Sequence, residues 1–140
     1  MPETFVLDCS VAAKWVFPEP GRASAVELFS RYASGEILLI APDLLLAEFA
    51  SLVAKRSRRK LMSAEQAQQA FALIARYAPR LFDMRPRLSR ALDLSLRYRL
   101  SLWDCVYLAL AAEHNCPVLT ADLRLFRAGS GRHPSLLLVQ

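Results

Sequence analysis

Asp8, Glu48, Asp104 and Asp122 are the residues on which chemistry can rest in this chain of 140 residues. Each stands beside an apolar stretch: "TFVLD", "PDLLLAE", "LSLWD" and "VLTAD". Carboxylates gathered in one pocket repel each other and take up protons unless a cation compensates. Oxygen ligands with no His or Cys among them select a hard ion, Mg²⁺ or Mn²⁺, which keeps part of its water and pairs with phosphate. Each acid also has a plainer explanation. Asp8 and Asp122 can cap the helices that follow them. Asp104 can pair with Ser101 in a capping pattern and complement the helix dipole. Glu48 shares a helical face with Ser51 and Lys55, as a solvated polar stripe would.

What separates the two readings is where the chain puts these acids. The run 4–8 reads as a short buried strand, and "SVAAKWVF" as a helix stopped by Pro18 and Pro20. Apolar residues recur at helical spacing from Ala23 to Ala33, with Gly35 closing the segment. "ILLIA" (37–41) is a second strand. Two helices follow, Asp43 to about Arg59 and Ser63 to Tyr77, the second started by a Ser63/Gln66 capping box. "RLFDM" (80–84) is a weak third strand, and "LSRALDLSLRYR" a further helix. "WDCVYLALAAEH" (103–114) is apolar nearly all round and therefore buried. "PVLT" (117–120), a short helix from Asp122 and "SLLLV" (135–139) complete the chain.

Strands alternating with helices call for an α/β fold with a parallel sheet covered on both faces. In such a sheet the helix N-termini lie at the same edge as the strand C-termini, where ligands bind. Asp8 and Asp122 end strands, Asp104 opens a helix and Glu48 lies in the first half of its helix. All four can meet at that edge.

Composition narrows the setting. The chain is 54% hydrophobic with four glycines, as a single compact domain over 1–140 would be. Its longest apolar stretch, 37–54, is broken by Pro42, Asp43 and Glu48, which argues against a membrane span. The start, "MPETFVLDCS", lacks the order of a secretory signal. Cys9, Cys105 and Cys116 have neither the spacing of a zinc site nor the parity of a disulfide framework, and a reducing cytoplasm is expected. Among eighteen Lys and Arg only Lys14, Lys55 and Lys60 are lysine, leaving fifteen arginines in a chain of net charge +5. An arginine excess suits an anionic partner that presents phosphates.

With these residues together, the chain resembles PIN domains, and among them the VapC toxins of bacterial type II toxin–antitoxin pairs. The resemblance rests on "VLDCSVAAKWVFPEP", "PDLLLAE", "LSLWDCVYLALA" and "LTAD", four motifs in order over nearly the whole chain. It implies a three-layer α/β sandwich whose mainly parallel five-stranded sheet has the order 3-2-1-4-5, with a helical hairpin between strands two and three. It also implies a metal-dependent endoribonuclease whose products end in 5′-phosphate and 3′-hydroxyl. Asp8 and Asp104 would be the principal ligands of Mg²⁺ or Mn²⁺. Asp122 and Glu48 would complete the pocket directly or through water, and Ser10 and Thr120 would orient carboxylates or water. Some relatives carry a further acid just after the fourth, where this chain has Leu123, Arg124 and Leu125, so one ion rather than two is an open choice. The expected partners are an RNA substrate, a cognate VapB-type antitoxin laid across the cleft, and a second copy in a homodimer.

RNA grip would come from Arg124 and Arg127, just beyond Asp122. The run "KRSRRK" (55–60) is either a solvated helix end or a contact with RNA backbone or with the acidic side of a partner. Trp15 and Tyr107 are expected to pack in the core rather than stack on bases. A receiver domain would need paired acids after strand one and a late lysine, and a haloacid-dehalogenase phosphatase a D-x-D; this chain has neither. The competing reading is a PIN-fold module that binds RNA or protein without cleaving.

Overall fold

The computed structural model describes residues 1–129, 131 and 135–140. Its strands are β1 (Glu3–Leu7), β2 (Ile37–Pro42), β3 (Arg80–Phe82), β4 (Val118–Thr120) and β5 (Leu136–Leu138). Its helices are α1 (Cys9–Val16), α2 (Arg22–Ala33), α3 (Leu44–Arg58), α4 (Ala64–Tyr77), α5 (Leu88–Tyr98), α6 (Leu102–Glu113) and α7 (Leu123–Gly129). The sheet order is β3-β2-β1-β4-β5 and every pairing is parallel, a step beyond the mainly parallel sheet expected. The third strand stops at Phe82 instead of Met84. Asp83 turns back to accept bonds from the backbone and side chain of Arg85, and a 3₁₀ turn follows.

Apolar side chains on consecutive residues are what a sheet covered on both faces requires. Val6, Leu7, Ile37, Leu39, Ile40, Val118 and Leu119 are all buried. Helix α6 is enclosed too, with Cys105 to Ala111 buried in succession. The hairpin of α3 and α4 begins its second helix as the sequence implies. The Gln66 amide donates to Ser63 Oγ at 3.0 Å, and Gln66 Oε1 accepts from the Ser63 amide at 2.8 Å.

The motif "KWVFPEP" builds the corner between α1 and α2. Lys14 Nζ donates to the Pro20 carbonyl at 2.7 Å and lies 3.5 Å from Glu19. Trp15 Nε1 donates to the Ala25 carbonyl, and its ring meets Phe29 and Tyr32, the packing role expected of it. Gly21 takes a φ of +86°, and a Cβ there would stand 2.9 Å from the backbone of Gln140. Both the conformation and the space demand glycine. Arg56 is drawn into the same corner: its guanidinium lies 4.0 Å over the Phe17 ring and pairs with Glu19 at 3.1 Å. One cation of the 55–60 run is thus structural, while Lys55, Arg58, Arg59 and Lys60 remain exposed.

Candidate active site

Strand β1 lies between β2 and β4, so the chain leaves the middle of the sheet in opposite directions and opens a crevice at the strand C-termini. Asp8 stands at that crevice. Leu7 pairs with Leu119, and the Asp8 amide donates to the Leu119 carbonyl at 3.0 Å. Although Asp8 holds the cap position of α1, its side chain makes no capping bond. Instead its Oδ2 accepts from Ser10 Oγ at 2.5 Å and from Thr120 Oγ1 at 2.9 Å. Ser10 Oγ in turn accepts from the Ala121 amide, and Thr120 Oγ1 from the Asp122 amide. The two expected orienting hydroxyls therefore lock Asp8 to β4 and to the turn carrying Asp122.

The other acids arrive as the topology requires. Glu48, in the second turn of α3, is half-buried, and its Oε1 accepts from Tyr107 Oη at 2.5 Å. Asp104 sits in the first turn of α6, where Ser101 Oγ accepts from its amide at 3.1 Å, so the plain capping role is present too. Asp122 also caps: its Oδ1 accepts from the amides of Arg124 and Leu125 at 3.0 and 3.2 Å. Among the described residues no hydrogen bond engages Asp8 Oδ1, Glu48 Oε2 or Asp122 Oδ2. Each of these carboxylates has one oxygen anchored and one oxygen left to a ligand.

Their electrostatics report crowding. Burial pushes the Asp8 carboxyl above its ordinary range, the Ser10 and Thr120 hydroxyls pull it back, and Asp104 pushes it further. Burial raises Glu48 to about 7 against the hydrogen bond from Tyr107, with Asp8 and Asp104 adding to the rise. Asp104 is raised by burial, lowered by Ser101, raised by Asp122 and lowered by Arg124. The four acids thus share one field, as expected. They do not yet share one coordination sphere: among the described residues no three Asp, Glu, His or Cys side chains converge into a cage for a metal ion. Asp8 is tied to β4, Glu48 to α6 and Asp122 to its own helix, so each carboxylate answers to donors on a different element. An all-oxygen donor set with raised carboxyl pKa values gains from a cation and suits a hard one that keeps much of its water.

Arg124 lies near enough to Asp104 to lower its pKa and is exposed, as a phosphate contact must be. Arg127, exposed in the last turn of α7, makes no hydrogen bond or ion pair with the acids. Two residues at this site escaped the sequence reading. Tyr107 was expected only to pack, yet its hydroxyl binds Glu48; the signal was a tyrosine in a helix with no polar face, whose hydroxyl must find a partner. Trp103, the residue before Asp104 in the chain, is 51% exposed, and an exposed indole can take a stacked base. The cysteines are inert by contrast: burial pushes the Cys9 thiol well up and that of Cys105 to about 11. The apolar cleft of about 390 Å³ lined by Trp15, Val26, Phe29, Leu73 and Tyr77 contains none of the acids.

Among the described residues no helix is long and apolar enough to cross a membrane. No curated protein matches the chain. Solved structures do. A toxin–antitoxin complex from Klebsiella pneumoniae is 14% identical, with a TM-score of 0.67 over 97% of this chain and 98% of that one. VapBC2 from Rickettsia felis, bound to a DNA fragment from their promoter, is 13% identical, with a TM-score of 0.70 over 98% and 99%. VapBC-5 from Mycobacterium tuberculosis is 20% identical, with a TM-score of 0.63 over 99% of each chain. At such identities the likeness is one of fold. The PIN domain family matches residues 5–130, which contain all four acids and both orienting hydroxyls. The chain belongs to the PIN domain family.

Proposed function

We propose that this protein is a metal-dependent endoribonuclease acting as the VapC-type toxin of a toxin–antitoxin pair in the cytoplasm. The observation that carries the reading is the crevice at the centre of the sheet. Asp8, Glu48 and Asp104 all have raised carboxyl pKa values there, in a chain of net charge +5. An acidic pocket in a basic protein suits a polyanion bridged by a cation. Bound there, Mg²⁺ or Mn²⁺ would polarise a phosphoryl oxygen and acidify a water for in-line attack.

The chain's own residues prepare that site. Ser10 and Thr120 fix one oxygen of Asp8 and turn the other to the crevice. Asp104 and Asp122 present carboxylates from the starts of α6 and α7. Arg124 meets the RNA backbone, and Trp103 takes a base beside the scissile phosphate. The likeness of fold to toxin–antitoxin assemblies supports a VapB-type antitoxin as partner, with a homodimer as the expected state of the toxin.

The test is cleavage of total cellular RNA by the antitoxin-free protein, with Mg²⁺ or Mn²⁺ against EDTA, beside Asp8→Asn. Discrete fragments that need metal and vanish in the variant support the nuclease. One observation favours the non-catalytic module: no three acids converge into a metal cage among the described residues. Neither cleavage nor metal binding by folded protein would establish that second reading.

A further inference from the structure

Tyr107 is the largest fully buried side chain among the described residues, 1% exposed in the enclosed middle of α6. A phenylalanine would fill the same space, and no ring pairing among the described residues involves Tyr107. Its hydroxyl adds one interaction, the bond donated to Glu48 Oε1 at 2.5 Å, across 59 residues of chain and from α6 to α3. A buried hydroxyl needs a partner, and here the partner is an acid of the crevice. Asp104 lies three residues earlier, on the same face of α6. One helix therefore supplies both a carboxylate of its own and the donor that fixes a carboxylate on another helix.

We infer that Tyr107 is a positioning residue for Glu48. By holding Oε1 it removes a rotational freedom from the carboxylate and leaves Oε2 alone to face the cation or a water in its shell. Glu48 then acts through a single oxygen. Without the hydroxyl it is free to turn away or to offer both oxygens. Partners that orient ligands in this way contribute about 10–100-fold to metal affinity or activity. The inference rests on the nuclease reading above, and its test separates the two.

The experiment measures Mn²⁺ affinity by calorimetry on the full chain for wild type, Tyr107→Phe, Glu48→Gln and the double variant, with melting temperatures and RNA cleavage alongside. Glu48→Gln keeps an acceptor for the tyrosine while removing the charge. The expected result is a Tyr107→Phe chain that melts within a few degrees of wild type and binds Mn²⁺ about 10-fold more weakly. Its kcat falls comparably, with KM for RNA unchanged. In the Glu48→Gln background the same change alters Mn²⁺ affinity less than about two-fold, because its route of action is already gone. Wild-type affinity in Tyr107→Phe overturns the inference while leaving the nuclease standing. So does an equal loss in both backgrounds. A wild-type chain that neither binds Mn²⁺ nor cuts RNA overturns the nuclease reading and the inference with it.

Discussion

Thr120 Oγ1 donates to Asp8 Oδ2 at 2.9 Å across 112 residues of sequence, joining the ends of two adjacent parallel strands. The same oxygen accepts from the Asp122 amide. One fully buried hydroxyl thus couples the acid after β1 to the acid after β4. Thr120→Val keeps the shape and removes both bonds. It is expected to cost about 1–3 kcal/mol, because the Asp122 amide and Asp8 lose a partner together. Urea unfolding checks this, with Thr120→Ser close to wild type.

Asp8→Asn retains an acceptor for Ser10 and Thr120 and discards a charge that burial disfavours. The variant should fold and melt no lower than wild type without metal, yet lose at least about 100-fold in RNA cleavage, the upper end of what a ligand's orienting partner contributes. Circular dichroism melts and gel assays of RNA fragments read the two effects separately.

The pH dependence follows from the raised carboxyls. Glu48 moves from an ordinary 4.5 to about 7 on folding, and Asp8 and Asp104 move the same way. Between the unfolded and folded values the unfolded chain holds fewer protons, so the stability these groups contribute is present at low pH and lost as pH rises toward 7. Metal-free protein should therefore melt lower at pH 8 than at pH 5.5. Added Mn²⁺, which binds the ionised form, should raise the melting temperature more at pH 8. Thermal scans at both values with and without EDTA test the sign.

The RNA contacts proposed for Arg124 and Trp103 can be told apart by experiment. Arg124→Ala should weaken binding across sequences and reduce the salt slope by about one counterion. Trp103→Ala should cost about 1–3 kcal/mol of binding with the salt slope unchanged. Titrations of a cleavage-dead Asp8→Asn chain with single-stranded RNA at several salt concentrations distinguish the two.

Much of this was legible in the residues. Period and breakers placed every element to within a few positions, and the capping box at Ser63 was read outright. Mutual repulsion of the acids was anticipated, whereas burial is the larger cause of the rise at Asp8. What could not be read was how each acid would be held. Only the Asp122 carboxylate is held as one of its readings had it, by capping its own helix. Tyr107 reaches Glu48 from another helix, and no periodicity encodes the meeting of two side chains on different elements. The separation of the acids from a shared metal cage has the same origin, since Asp8, Glu48 and Asp122 answer to donors on different elements.

The order of elements carries one more consequence. Of the two hydroxyls that hold Asp8, one comes from Ser10 on the adjoining helix and the other from Thr120, 112 residues later. The link between Asp8 and Asp122 cannot form until β4 has docked beside β1. A chain still in synthesis at Val118 carries Asp8, Glu48 and Asp104 without the hydroxyl that ties Asp8 to the turn of Asp122. On the nuclease reading proposed above, the crevice stays unlocked, and the message out of its reach, until the ribosome has passed Thr120.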